Sequence, residues 1–515
     1  MFNYGIDRLD TGKALAILNG ELHATISEDA RYKIEASHKI VLKTSQGNQA
    51  VYGINTGFGP LCDTIISREN TSELQLKLLL SHAVGVGEPI DPELAKLMLI
   101  LKVHSLSQGY SGISLTVLDR ILWHIDQNII PVVPEQGSVG ASGDLAPLAH
   151  LFLPLIGEGE VFHKGEINGT SEVLKEMGIE PIELHPKAGL ALINGTQFIL
   201  AHAVQAVDQL YNCLAHADII GSLMIEGLMG SQMPFHEELH KTRPHSGNVH
   251  VAARLRQFLK DSEIGKSHEF CGKVQDPYSL RCMPQVHGSS RAAWLHLKEN
   301  VETELNSVTD NPVIIDEDLV ISGGSFHGQP LALPLDYACL AAAELGSISD
   351  RRTYLSLEGK YEGTPRLLME DTGLNSGFMI LQYTAAALVS ENKGLCFPSS
   401  ADSIPTSLGQ EDHVSMGSIG GRKALRVISN LERILAIELL CAAQAFDFRK
   451  PLRSSHFLDE AHDLIREEID YAEEDRIFSK DVEKAHRILR DRSLLELSRS
   501  FHNSFSEFDH QFESY

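Results

Sequence analysis

The 515-residue sequence is short of the features that mark several protein classes. Its seven cysteines are odd in number and form no CxxC pair, which argues against a disulfide framework and favours reduced thiols. Basic residues are also scarce, since 44 Lys and Arg stand against 69 Asp and Glu and the net charge is -25. Because such a surface repels phosphate backbones and anionic lipid, we expect neither nucleic acid nor a membrane as a partner.

Long uninterrupted apolar runs are absent too. LAIELLCAAQAF at 435–446 contains Glu438, and LALPLDYACLAAAELG at 331–346 contains Asp336 and Glu344. Neither run reaches the length of a membrane span, so both are interpreted as core helices. The first residues, MFNYGIDRLDTGKAL, lack the basic and apolar regions of a signal peptide. Together with the reduced thiols, this predicts a cytoplasmic location.

Hydrophobic periodicity predicts a mainly α-helical, multihelical protein. Residues 1–195 are mixed and rich in turn signals, and they are assigned to an N-terminal domain. Residues 196–515 carry long stretches with apolar side chains three to four positions apart, and they are assigned to a second domain of long helices. Helices that are apolar on several faces usually pack into a bundle shared between subunits.

Two motifs with known chemistry match poorly. HEELH at 236–240 fits the zinc pattern H-E-x-x-H, but Pro234 and Pro244 leave room for only a short helix and no third ligand is evident. GASGD at 140–144 resembles a nucleophile elbow but has Asp144 where that motif requires glycine. We therefore predict no metal site and no serine hydrolase.

The stretch GSVGASGDLAPLAH at 137–150 begins with a loop that has almost no side chains. In a sharp bend, the Gly143 amide nitrogen can approach the Ala141 carbonyl carbon, because glycine has no Cβ to obstruct it. Ring closure with loss of water, and loss of the Ser142 hydroxyl as a second water, would leave a methylidene group conjugated to an imidazolone. That product is a strong electrophile made from the chain alone. The alternative interpretation is a plain tight turn.

The loop stands among further blocks in a fixed order, and together they resemble the aromatic amino acid ammonia-lyases over most of the chain. The blocks are VYGINTGFG (51–59), LLLSHAVGVG (78–87), GLALINGTQ (189–197), VQDPYSLRCMPQVHG (274–288), TDNPV (309–313), LNSGFMI (374–380), TAAALVSENK (384–393) and QEDHVSMG (410–417). The resemblance implies that Ala141, Ser142 and Gly143 form 4-methylideneimidazol-5-one (MIO), so that no external cofactor is needed. It also implies a fumarase/aspartase-like fold, with a loop-rich N-terminal region that carries MIO, and a homotetramer with shared active sites.

The resemblance assigns roles to further residues. Tyr52 corresponds to the base that removes the β-proton, Tyr278 to a tyrosine near MIO that assists catalysis, and Arg281 to the group that binds the substrate carboxylate. A guanidinium suits that last role because it offers a planar pair of donors. The remaining positions, implied to contact substrate or MIO, are Asn194, Gln275 and Phe326.

Two sites in the sequence indicate the expected substrate. Family members that act on histidine have Ser-His where this chain has Ser81-His82, and Glu411 can accept a hydrogen bond from an imidazole N–H. Both markers imply conversion of L-histidine to trans-urocanate and ammonia. Tyrosine or phenylalanine lyase or aminomutase activity stays an alternative, as does a non-catalytic helical scaffold. SGGSFHGQP at 322–330 departs from the family pattern at Ser325 and Gln329, which affects the expectation for fine specificity.

Overall fold

The computed structural model describes residues 1–47, 50–57, 59, 66–67, 70–269, 272, 274–501 and 508–515. The prediction of a mainly α-helical chain is confirmed. Helices near the N-terminus are short to medium in length: α1 Thr11–Leu18, α2 Glu28–Ser45, α3 Thr71–His82, α4 Pro92–Leu106, α5 Leu115–Asp126, α6 Leu145–Phe152, α7 Thr170–Met177 and α8 Ala188–Ile193. Later helices include much longer ones: α9 Gln197–Gly227, α10 Glu237–Lys241, α11 Ser246–Phe258, α12 Glu263–Ser267, α13 Tyr278–Arg281, α14 Met283–Leu305, α15 Gln329–Leu357, α16 Met379–Leu395, α17 Gly417–Asp447, α18 His456–Glu468, α19 Phe478–Arg490 and α20 Ser493–Ser500.

The strands are short and connect the helices rather than forming a core sheet. They are β1 Phe2–Asn3, β2 Ala24–Thr25, β3 Val86–Pro89, β4 Ile130–Pro131, β5 Pro134–Gln136, β6 Glu160–His163, β7 Glu166–Gly169, β8 Val313–Ile314 and β9 Val320–Ile321. Strands β1 and β2 pair in parallel, whereas β3 with β5, β4 with β6, β6 with β7, and β8 with β9 pair antiparallel. In the three-stranded sheet β4-β6-β7, Ile130 is opposite Phe162 and Val161 is opposite Asn168.

Local sequence explains where several helices begin. The Asp10 side chain accepts from the Lys13 amide at the start of α1, and the Ser27 hydroxyl does the same for Ala30 in α2. These N-cap bonds satisfy amides that have no partner inside the helix. Helix α9 is apolar on nearly all faces and its residues are almost all buried, as expected for a helix in the core of a large protein.

Contacts within the chain divide it into two compact units. The first contains residues 1–205, 298–336 and 398–422, and the second contains 206–297, 337–397 and 423–515. The division at residue 195 stays a prediction, and it differs from the contact-based division because 298–336 and 398–422 group with the N-terminal residues.

Helix α15 extends beyond the apolar run at 331–346 on both sides. Its 29 residues include an 18-residue window with a mean hydropathy of 1.3, so among the described helices it is the one long and apolar enough to cross a membrane. The window is longer than the apolar run because the helix continues past both ends of it. In the protein 67% of that window is buried, as in a core helix.

The last eight residues are fixed in the second unit. Phe512 is fully buried. The Glu513 carboxylate accepts from Arg254 Nη1 at 2.6 Å and lies 2.8 Å from His250 Nε2, while the Tyr211 hydroxyl donates to the Glu513 carbonyl at 3.0 Å. Interaction with Arg254 and hydrogen bonding from His250 outweigh burial and lower the pKa of Glu513 to about 2.

Candidate active site

A cavity of about 520 Å³ lies in the first unit, and its lining includes five of the predicted site residues. A cavity of this size suits a ligand as small as an amino acid. Further lining residues are Lys77, Ser81, Leu145 and Ser407, and the remaining wall is largely apolar. The five predicted residues are Tyr52, His82, Ser142, Asn194 and Glu411.

The Ala141-Ser142-Gly143 loop is pressed against the backbone around Gly195. The Asp144 amide donates to the Gly195 carbonyl at 2.8 Å, and the Gly195 amide donates to the Ser142 carbonyl at 3.4 Å. Gly143 has φ +76°, and a Cβ added there would lie 2.0 Å from the Gly195 oxygen. Glycine is required at this position both for the left-handed conformation and for the close approach of the two backbones.

On its other side the loop is held by residues 414–418. The Met416 amide donates to the Val139 carbonyl at 2.9 Å, and the Ser415 hydroxyl donates to the Gly140 carbonyl at 3.2 Å. Ala141 is 5% exposed and packs in one apolar cluster with Val414 and Met416. The loop is therefore held by backbone and side-chain hydrogen bonds from both sides.

Asp144 follows the loop directly and is fully buried. Its carboxylate accepts from the Ile199 amide at the start of α9 and from the Ser138 hydroxyl, both at 3.0 Å. Burial raises the pKa of Asp144 to about 7, and the hydrogen bonds that it accepts oppose this rise. Asp144 thus joins the loop to the first turn of α9.

The Ser142 hydroxyl points at Glu411. It donates to Glu411 Oε1 at 2.9 Å, while the Thr406 hydroxyl donates to Glu411 Oε2 at 2.8 Å. The Thr406 amide also donates to the Glu411 carbonyl at 2.9 Å, which fixes the backbone that carries the carboxylate. The predicted recognition residue and the predicted MIO serine are therefore in direct contact.

Tyr52 and His82 complete the polar part of the cavity. The Gly59 amide donates to the Tyr52 hydroxyl at 3.3 Å. His82, at the end of α3, donates from Nδ1 to the Leu78 carbonyl at 2.9 Å, which leaves Nε2 as an acceptor. Burial lowers the pKa of His82, although the bond to Leu78 and the charge of Glu411 oppose this shift.

Asn194 is fixed through its side-chain amide. Its Nδ2 donates to the Asn311 carbonyl at 2.8 Å and to Asp310 Oδ1 at 3.3 Å. The other Asp310 oxygen pairs with the buried Lys187 ammonium at 2.6 Å. Asn194 therefore stands in the cavity wall with its orientation set by a buried ion pair.

The other predicted residues lie elsewhere. Gln275, Tyr278 and Arg281 are in the second unit, where Arg281 Nη2 donates to Gln275 Oε1 at 3.0 Å and the guanidinium lies 4.6 Å from the centre of the Tyr278 ring. Tyr278 is 71% exposed. Phe326 is in the first unit, half-buried in the turn between β9 and α15, and does not line the cavity. The structure thus forms one group of predicted residues around the cavity and a second around Arg281.

A family model described as aromatic amino acid lyase matches residues 9–467. The chain belongs to this family. It is 44% identical over 475 residues to the histidine ammonia-lyase of Natranaerobius thermophilus, covering 92% of this chain and 94% of that protein. The crystal structure of histidine ammonia-lyase from Trypanosoma cruzi superposes with a TM-score of 0.90 at 40% identity, covering 99% of this chain and 96% of that one. Tyrosine aminomutase from Streptomyces globisporus also superposes with a TM-score of 0.90, at 33% identity and 98% coverage of both chains. The resemblance inferred from the motifs is confirmed.

Sequence reasoning missed one charged group of this aromatic amino acid lyase. Lys102 is 2% exposed, and its ammonium donates to the Asn194 carbonyl, directly before Gly195. Burial lowers the pKa of Lys102 to about 7, and the charge of Asp310 opposes this shift. The available signal was a lysine in the second half of α4, PELAKLMLILKVHSL, flanked on both sides by apolar residues.

The histidines of HEELH have other partners in the lyase. His236 Nδ1 accepts from the Glu238 amide at 3.2 Å, and His240 Nε2 lies 3.0 Å from the Pro234 carbonyl. The described residues contain no group of three or more His, Cys, Asp or Glu side chains that could hold a metal ion. The motif therefore has a local structural explanation in this protein.

Proposed function

We propose that this chain is a histidine ammonia-lyase that converts L-histidine to trans-urocanate and ammonia with an MIO group formed from Ala141, Ser142 and Gly143. The observation that carries the proposal is one cavity in which Ser142 of the Ala-Ser-Gly loop lines the wall together with His82 and Glu411. The similarity to histidine ammonia-lyases at more than 40% identity supports the same reaction.

The loop residues fit the proposed cyclisation. Ring closure needs the Gly143 nitrogen and the Ala141 carbonyl carbon to approach, and the positive φ of Gly143 together with clamping on both sides holds the loop in a tight bend. A side chain at position 143 would fill the space taken by the Gly195 carbonyl. When formed, the ring supplies an electrophile that makes the substrate amine a better leaving group.

Residues that line the cavity of the first unit would carry out proton removal and substrate recognition. Tyr52 takes the β-proton of the substrate, and Asn194 offers its amide to substrate or MIO. Glu411 accepts a hydrogen bond from an imidazole N–H, and His82 adds an acceptor nitrogen nearby. A phenyl ring would leave the Glu411 carboxylate without a partner, which favours histidine over phenylalanine.

Arg281 binds the substrate carboxylate in this proposal, with Tyr278 and Gln275 beside it and Phe326 next to MIO. We propose that Gln275, Tyr278 and Arg281, which lie in the second unit, serve the cavity of another subunit in a homotetramer. Support comes from the exposure of Tyr278 and from large apolar side chains left exposed on α15 and α16, among them Leu340 and Tyr383. The five free cysteines among the described residues agree with a cytoplasmic location.

A tyrosine or phenylalanine lyase or aminomutase is the second candidate. The superposition on tyrosine aminomutase favours it, because the same fold holds a different substrate there. Ser325 lies beside Phe326 in the turn before α15, and Gln329 is the first residue of that helix, so both departures bear on fine specificity and rate. Substrate choice therefore has to be measured rather than assumed from the fold.

The test compares three proteins on histidine, tyrosine and phenylalanine, following the ultraviolet absorbance of the unsaturated acid and the intact mass. We expect the unaltered protein to lack two waters and to turn over histidine. Ser142→Ala should keep its fold. It has no hydroxyl to lose as the second water, so it should form no electrophile and show no elimination. Glu411→Gln should lose far more activity on histidine than on phenylalanine. Turnover by Ser142→Ala, or a preference for tyrosine, would contradict the proposal.

A further inference from the structure

The peptide bond between Asn194 and Gly195 connects a buried charge with the predicted MIO loop. Its carbonyl oxygen, on Asn194, accepts a hydrogen bond from the Lys102 ammonium. Its N–H, on Gly195, donates to the Ser142 carbonyl at 3.4 Å. Lys102 and Ser142 therefore lie at the two ends of one chain of hydrogen bonds that passes through a single peptide unit.

The surroundings of this peptide unit are buried and hydrogen-bonded. The Gly195 carbonyl accepts from the Asp144 amide at 2.8 Å, so the backbone after the peptide is also fixed to the loop. Lys102 is 2% exposed, and its ammonium also lies 3.5 Å from Gln197 Oε1. Because Lys102 is buried, its charge acts on the peptide at a low dielectric, where a charge-assisted hydrogen bond is strong.

The Ser142 carbonyl affects reactivity because of the place it takes in the proposed ring. Ring closure removes the Ala141 oxygen as water and keeps the Ser142 oxygen, which is then conjugated with the double bond on Ser142 Cβ. When a nucleophile bonds to that Cβ, the electron pair of the double bond moves toward the Ser142 oxygen. A hydrogen-bond donor aimed at this oxygen stabilises the negative charge that develops there.

We infer that Lys102 is a positioning residue for the reaction, because through the Asn194–Gly195 peptide it strengthens the hydrogen bond to the Ser142 oxygen and raises the reactivity of the electrophile. The inference rests on the cyclisation proposed above. A carbonyl that accepts from a cation polarises its own peptide bond, and the N–H of that bond becomes a better donor. Lys102 is not among the described residues that line the cavity, so it acts through this peptide.

The effect should depend on the charge of Lys102. Burial lowers the pKa of Lys102 to about 7; the charges of Asp310 and Asp144 oppose this shift, and that of Lys187 adds to it. The ammonium is therefore present below about pH 7 and gives way above it to a neutral amine, which is a weaker donor. An arginine at this position would stay charged over the whole range. A merely structural role for Lys102 predicts no such difference between lysine and arginine.

The experiment measures how fast the full-length, matured protein adds 2-mercaptoethanol, with the adduct detected by intact mass and the rate constant expressed per thiolate. The sulfur bonds to Ser142 Cβ and a proton is taken from water, so the protein gains the mass of one thiol. Unaltered protein, Lys102→Met and Lys102→Arg are compared at about pH 5.5 and about pH 8.5, on either side of the pKa of Lys102. The control Lys96→Met makes the same change earlier in α4, where the Lys96 ammonium donates to Asn128 Oδ1 at 3.1 Å.

The expected rates follow from the role of the donor. Removing a donor outright from a site of this kind costs about 10²–10³ in rate. Since Lys102 strengthens a donor rather than supplying it, Lys102→Met should add the thiol about tenfold more slowly than Lys96→Met at the lower pH. At the higher pH unaltered protein should approach Lys102→Met, whereas Lys102→Arg should keep its faster rate.

The outcomes separate this inference from the proposed function. If unaltered protein is missing no waters and adds no thiol, the cyclisation and this inference fail together. If the variants are missing two waters and Lys102→Met reacts as fast as Lys96→Met, only the role of Lys102 is overturned. If Lys102→Met does not mature, a rate constant of Lys102→Arg no higher than that of unaltered protein at the higher pH contradicts the inference. If neither variant matures, a rate constant of unaltered protein that does not fall with rising pH contradicts it.

Discussion

Replacing Gly143 by alanine tests how tightly the loop is compressed. The chain offers a matched control, because Gly20 has φ +75°, almost the same as the +76° of Gly143. A Cβ at Gly20 would have no atom within 4 Å, whereas a Cβ at Gly143 would lie 2.0 Å from the Gly195 oxygen and 2.4 Å from its carbonyl carbon. Both substitutions therefore place alanine in a left-handed conformation, but only Gly143→Ala adds a steric overlap.

The expected losses follow from that difference. A left-handed conformation costs an alanine about 1 kcal/mol relative to glycine, and Gly20→Ala should lose about that much free energy of unfolding. Gly143→Ala should lose the same free energy of unfolding plus about 1–3 kcal/mol. The added Cβ overlaps the Gly195 backbone, which is hydrogen-bonded to the loop and would have to move. The overlap should also push the Gly143 nitrogen away from Ala141.

The assay has two parts, denaturation in urea at one protein concentration and intact mass. Gly20→Ala should keep full maturation, with two waters missing. Gly143→Ala should be less stable than Gly20→Ala and should retain the mass of the open chain. Equal stability of the two variants, or two waters missing from Gly143→Ala, would refute the account of this loop as a compressed bend that requires glycine.

Three further predictions concern other parts of the protein. Tyr52→Phe should nearly abolish turnover while two waters are still lost, because the phenol acts on the substrate and not on the loop; unchanged rates in a steady-state assay would reassign the base. The lowered pKa of Lys102, about 7 against 10.5, means that between these values the unfolded chain binds a proton that the folded chain does not. Stability in urea should therefore rise with pH over this window for unaltered protein and less so for Lys102→Met. Glu513→Gln removes the carboxylate that Arg254 and His250 share, while Arg254 keeps its ion pair with Asp218 at 2.8 Å, and it should cost about 2 kcal/mol. Because the pKa of Glu513 is lowered to about 2, the difference from unaltered protein should shrink as pH falls below about 4.5.

Local sequence patterns predicted those elements whose conformation depends on residues close together in the chain. The glycine-rich bend before α6, the long apolar helix α9 and the mainly helical class all follow from spacing and from residues with small side chains.

The grouping of distant segments could not be predicted from local pattern. Residues 298–336 and 398–422 join the N-terminal residues because α14, α15 and α17 carry the chain to and from the first unit, and periodicity does not specify where helices return. The buried Lys102 is a second example. The acceptor of its hydrogen bond, the Asn194 carbonyl, is 92 positions away in the chain. The sequence alone therefore shows a lysine among apolar residues but not its partner.

On the proposed cyclisation, departure of the Ser142 hydroxyl would free Glu411 Oε1 for the imidazole of a substrate. A hydrogen bond to a charged acceptor contributes about 1.5–3 kcal/mol, so an imidazole that approached the uncyclised chain would have to displace the Ser142 hydroxyl from Glu411 at a cost of that order. Since 1.4 kcal/mol corresponds to a factor of about 10 in affinity, histidine should bind the immature site about tenfold or more weakly. The cavity would then gain its preference for imidazole only when the electrophile is in place, so that binding and reactivity arise in the same step of maturation.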